Sequence, residues 1–119
     1  MNLDVAIQKH TEWRMKFRKA MMTKETMDAA TIGKDNCCEL GKWLYGEGKK
    51  AYGKLKTFAD CLEAHKAFHV EAGKVAAAIN AKMFAEAAQM IGSGSAYLKA
   101  STVTGGAILK LKQELTKAA

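Results

Sequence analysis

Proline is absent from the 119 residues, so no position forbids a long helix outright. Cysteine is scarce, and its count of three is odd, which excludes a disulfide framework as the source of stability. No apolar run approaches the roughly 18 residues that would suggest a membrane span. The opening residues, Met1-Asn2-Leu3-Asp4-Val5, lack the basic-then-apolar layout of a signal peptide. A reducing cytoplasm is the expected compartment, because there Cys37, Cys38 and Cys61 persist as thiols or thiolates. Nor is there a block of one charge. The formal charge is +7, but the lysines and arginines are spread along the whole chain. That reads as solvated helix faces, and no nucleic-acid or anionic-lipid partner is expected.

What is present favours helix. Alanine is abundant, and seven methionines within a 49% hydrophobic composition point to an ordered helical core rather than a disordered chain. The length suits a single domain over 1–119, with one modest core. Leu3, Ile7, His10, Trp13, Phe17 and Met21 keep a 3–4 spacing, which predicts one long helix over 3–30. Residues 31–37 form a connection containing Gly33 and the Asp35-Asn36 pair. A short helix over Cys38–Tyr45 follows, ended by Gly46, and 47–55 is at best a weak helix. The helical pattern resumes from Thr57 to Ile79. A last helix is expected over Lys82–Leu115, with Gly92-Ser93-Gly94-Ser95 and Gly105-Gly106 as points of kinking or close helix approach. Long helices with short connections predict an all-α fold: an antiparallel four-helix bundle with a short inserted helix that carries a metal ligand.

The chemistry gathers at Asp60–His69. His65 and His69 are four residues apart on one helix, so both imidazoles leave nearly the same face. Neutral imidazole is the commonest metal ligand, but two ligands do not hold a structural ion. The first helix can add His10 and the short helix Cys38, completing a closed tetrahedral set of three nitrogens and one sulfur. The thiolate favours zinc over magnesium or calcium. Cys61 lies one turn before His65 on the same face, so spacing alone leaves Cys38 and Cys61 both open as the sulfur ligand. It also leaves open that the histidines are core residues bonded to backbone.

Three motifs carry a resemblance that bears on this choice: His10-Thr-Glu-Trp13, then Cys38-Glu-Leu40-Gly41-Lys-Trp43, then His65-Lys-Ala-Phe-His69. In that order they resemble the signature of the chemoreceptor zinc-binding (CZB) domain. The resemblance implies zinc held by His10, Cys38, His65 and His69. It implies a four-helix bundle, often a homodimer, in bacterial cytoplasmic proteins where such domains stand alone or are attached to chemoreceptors or diguanylate cyclases. It implies a sensory role that reports zinc or oxidants. Trp13, Leu40, Gly41 and Trp43 become a supporting shell. Trp13 shields His10, Leu40 and Trp43 anchor the short helix, and Gly41 permits close approach.

Cys38 sits on the least regular of the ligand-bearing segments, so the Cys38–zinc bond is the expected switch. It would respond to falling zinc or to an oxidant such as hypochlorous acid, which converts the thiolate to sulfenic acid. Cys37 and Cys61 are candidate redox partners or inert small residues. A zinc hydrolase is disfavoured, since Lys66 stands where HExxH enzymes carry glutamate. A hemerythrin-type di-iron carrier would need more histidines than three. A structural zinc-stabilised dimerisation module uses the same residues and differs only in lacking the switch.

Overall fold

The computed structural model describes residues 1–118; Ala119, the last position of the expected domain, lies outside the described residues. Among the described residues the chain forms helices only: α1 (Leu3–Thr11), α2 (Trp13–Thr23), α3 (Ala29–Ile32), α4 (Glu39–Tyr45), α5 (Glu47–Tyr52), α6 (Lys56–Asn80), α7 (Phe84–Met90) and α8 (Ala96–Ala118). The all-α bundle expected from the spacing is what forms. α6 is its axis. At about 1.5 Å per residue, its 25 residues span most of the 47 Å long dimension.

Asn2 starts α1, its side-chain oxygen accepting a hydrogen bond from the Val5 N–H at 3.1 Å. α1 passes into α2 through Glu12, whose backbone stays right-handed helical, so the two act as one rod. The rod stops earlier than the predicted residue 30. Lys24 turns left-handed (φ 56°) and ends α2 at Thr23. The following loop is clamped from far along the chain. Asn80, at the end of α6, accepts from the Met27 N–H and donates to the Met27 carbonyl, both at 2.7 Å.

The last predicted helix also divides. Gly94 adopts φ +77°, a left-handed conformation that glycine adopts readily, and Ser95 caps α8 by accepting from the Leu98 N–H at 3.1 Å. The glycine–serine run is therefore a break between α7 and α8. Gly105 and Gly106 behave in the opposite way. α8 runs unbroken through them, and a Cβ at either would meet no atom within 4 Å. Neither breaks the helix nor admits a described neighbour.

Two apolar clusters form the core. One gathers Phe17, Phe68, Val75, Ile79, Ile91 and Tyr97. The other gathers Leu3, Leu40, Leu44, Phe58, Ile108 and Leu111. α1–α2 and α6 run from the second cluster towards the first, and α8 runs back. Between the clusters lie the buried polar side chains His10, His65, His69 and Thr104. The Thr104 hydroxyl is satisfied by the carbonyls of Ala64 (3.0 Å) and Ala100 (2.7 Å).

Candidate metal centre

Asp35 lies near enough to act on His69, but it is the geometry of the polar layer that explains why imidazoles are buried there. His10 Nδ1 is 2.7 Å from the Ala6 carbonyl, one turn back on α1. His69 Nδ1 is 2.8 Å from the Ile32 carbonyl at the end of α3. A carbonyl only accepts, so both Nδ1 atoms carry the proton and both Nε2 atoms present lone pairs. These lone pairs converge on His65. Its Nε2 lies 3.1 Å from His10 Nε2 and 3.0 Å from His69 Nε2.

Cys38 closes the group from the N-terminus of α4. Its Sγ lies 3.2 Å from His65 Nε2, 3.6 Å from His69 Nε2 and 3.9 Å from His10 Nε2. The ligand atoms of His10, Cys38, His65 and His69 all fall within 4.8 Å of one another. Metal–ligand bonds of about 2.0–2.3 Å in a tetrahedron place neighbouring donor atoms about 3.3–3.7 Å apart. The observed separations bracket that range. Without a cation, a His65 Nε2–H can donate to only one of the two lone pairs that face it, and the other is left unmatched in a buried space. Moreover, His65 Nδ1 is buried without a hydrogen-bond partner. The donor set therefore fits a soft-to-borderline ion such as zinc.

The electrostatics agree. Burial, with the neighbouring His69 and His10 as lesser causes, pushes His65 down to about 3. Burial also lowers His10 and His69. All three rings are thus neutral at physiological pH and ready to bind a metal. Burial pushes the Cys38 thiol up, while the backbone N–H groups of Gly41, Leu40 and Cys38 itself draw it down. The Gly41 N–H reaches Sγ at 3.3 Å. A bound cation would supply the charge that favours the thiolate.

The CZB domain family matches the chain over residues 10–76, more than half of its length. The chain belongs to the chemoreceptor zinc-binding domain family. Zinc is accordingly its cofactor. The matched span runs from His10 through most of α6, and α7 and α8 lie beyond it. No curated protein and no solved structure matches the chain. No described helix of the CZB domain is long and apolar enough to cross a membrane.

The structure separates the three cysteines. Cys38 joins the histidines, Cys61 is fully buried in the second apolar cluster, and Cys37 is exposed. Of the four side chains around the motif, Leu40 is buried in the second cluster, and Trp43 packs against Tyr52 and Phe58 with centroids 6.1 and 6.0 Å away. Trp13 stacks near Phe17 at 5.5 Å, one turn beyond His10. A Cβ at Gly41 would collide with the Asp35 carbonyl.

The outer contacts of the histidines had no sequence signature, because they are backbone carbonyls. One local signal was available. A Cβ on Gly73 would lie 2.8 Å from the Gly33 Cα, so this glycine pair lets α3 rest on α6 and brings the Ile32 carbonyl to His69. Phe68, an apolar position of the α6 pattern, also meets the histidine rings. It packs edge-on against His10 (5.2 Å) and His69 (5.4 Å).

Gly41 yields a direct prediction. Gly41→Ala forces the 35–36 backbone away from α4 and displaces Cys38, so zinc affinity should fall by roughly 10–100-fold, as when an outer contact of a ligand is lost. Gly106→Ala, where the new methyl meets nothing, should leave affinity unchanged. Competition with a chromophoric chelator measures both. Equal affinities would show that the Gly41 contact does not position the sulfur.

Proposed function

We propose that this domain is a sensory module of signal transduction in which His10, Cys38, His65 and His69 hold one zinc ion and the Cys38–zinc bond is the switch. The supporting observation is the asymmetry of the four donors. Three are buried imidazoles on α1 and α6, two of them anchored to backbone carbonyls. The fourth is a half-buried sulfur at the end of a seven-residue helix, preceded by a non-helical turn over 34–38. Bound zinc would hold that sulfur as a thiolate and tie α1, α4 and α6 to one point, making its binding free energy conformational free energy for those segments.

Cys38 is the donor that can leave while the others stay in place. Falling zinc empties the site by mass action. A hypohalous oxidant acts instead on the sulfur, giving sulfenic acid, a poor ligand. The family to which the chain belongs supports a cytoplasmic homodimer coupled to chemoreceptor or diguanylate cyclase output. The reading is regulatory rather than enzymatic. Four protein donors leave no position for a reacting water, and Lys66 stands where a hydrolase of the HExxH type has its base.

Hydrogen exchange tests the switch. Zinc removal should raise exchange across residues 31–55 by at least tenfold while the centre of α6 stays protected. Unchanged exchange in 31–55 would leave a purely structural zinc module.

A further inference from the structure

We propose that Cys37 is the resolving thiol of this centre, closing a vicinal disulfide with Cys38 once a hypohalous acid has oxidised the Cys38 sulfur. The inference rests on Cys38 being the switch ligand. A groove of about 360 Å³ opens over the metal site between α1 and the start of α4. Ala6, His10, Trp13, Cys37, Cys38 and Leu40 are among the residues that line it. A small neutral oxidant entering here meets both cysteines. Cys61 does not line the groove and is sealed in the second apolar cluster at 0% exposure, so it cannot meet an incoming oxidant. Cys37 is exposed, and its contact is a long one of 3.5 Å to Asn36 Oδ1. Residues 35–38 turn outside any helix, so the peptide joining the two cysteines can adjust without unwinding a helical element.

The chemistry balances in two steps. The Cys38 sulfur attacks the oxygen of hypochlorous acid. An S–O bond forms, the O–Cl bond breaks, and chloride leaves with the electron pair. The Cys37 sulfur then attacks the Cys38 sulfur. An S–S bond forms, the S–O bond breaks, and the departing hydroxide takes the Cys37 proton as water. Two electrons pass from the cysteine pair to chlorine. The product is a strained one. Neighbouring Cα atoms are about 3.8 Å apart, below the roughly 4.4–6.8 Å of ordinary disulfides. Strained, exposed disulfides are readily reduced. Such a bond protects Cys38 from irreversible sulfinic and sulfonic acids and lets a cellular dithiol restore the ligand.

The test compares zinc-loaded wild type with Cys37→Ser, each treated with one equivalent of hypochlorous acid. Both should contain equal zinc beforehand. Wild type should release zinc, give a 37–38 peptide lighter by about two mass units, form no dimedone adduct, and rebind zinc after dithiothreitol. Cys37→Ser should release zinc and carry a dimedone adduct on Cys38; after a second, excess dose of oxidant given to both proteins and then dithiothreitol, it should recover at least fivefold less zinc binding than wild type. Equal recovery in the two proteins, or a disulfide from Cys38 to Cys61 or between two chains, overturns the proposal and leaves the switch standing. Zinc retained after Cys38 is oxidised overturns the switch, and this inference with it.

Discussion

Stripping zinc from this domain is expected to lower its thermal midpoint by roughly 15 °C. Free zinc at 1,000 times its dissociation constant stabilises a folded site by about 4 kcal/mol, and a domain of this size loses several degrees per kcal/mol. The physical cause lies in the layer between the two apolar clusters. His65 is fully buried, and its Nε2 faces the lone pairs of His10 and His69 at 3.1 and 3.0 Å. Burial keeps these rings uncharged at neutral pH, so the His65 Nε2–H tautomer and the Cys38 thiol can bridge only part of the layer, and the remaining lone pairs still face one another. The apoprotein must hold this arrangement or open it to water, and either weakens contact between the clusters. Calorimetry with and without a chelator measures the effect. Adding back zinc should restore the midpoint, and magnesium, which prefers oxygen ligands, should not. Identical midpoints for the loaded and stripped protein would mean that the layer is stable on its own.

Cys38→Ala should reduce zinc affinity more than about 100-fold, because losing a ligand costs more than losing one of its outer contacts. Cys61→Ala should leave affinity near wild type and lower stability by about 1 kcal/mol through the small cavity it leaves. The contrast follows from where each sulfur lies. Cys38 Sγ is 3.2 Å from His65 Nε2 and accepts the Gly41 N–H. Cys61, although one turn before His65 on α6, is enclosed with Phe58, Leu40 and Leu44. Burial alone pushes its thiol up to about 11, against forming the thiolate that a metal needs. Competition titration and chemical denaturation separate the two effects. The reverse pattern, with Cys61→Ala losing zinc and Cys38→Ala keeping it, would reassign the sulfur ligand.

The chain departs from its local sequence pattern where distant residues intervene. Apolar spacing carried a helix through Lys24 because no glycine or proline marks an end there. The end is set by a left-handed lysine and by Asn80, 53 residues away, gripping Met27. At Gly92–Ser95 the residues signalled a weakness, and the structure turns it into a full break. At Gly105-Gly106 a similar signal led nowhere, because α8 is solvated on that side and meets no described neighbour. Boundaries made by local chemistry were more legible. Cys38 and Gly46 flank α4, and α6 runs within a residue or so of the range its spacing predicts.

The sequence by itself determined the helical class, the shared face of His65 and His69, and the short α4 segment that carries the signature cysteine. Each of these follows from helical periodicity or from residues a few positions apart. Only the tertiary structure could choose between Cys38 and Cys61 in space, supply the Ala6 and Ile32 carbonyls that orient two imidazoles, and bring Cys37 and Cys38 to the lining of one groove. Those outcomes depend on how α1, α3 and α4 pack against α6, and such packing is set by contacts between residues far apart in the chain.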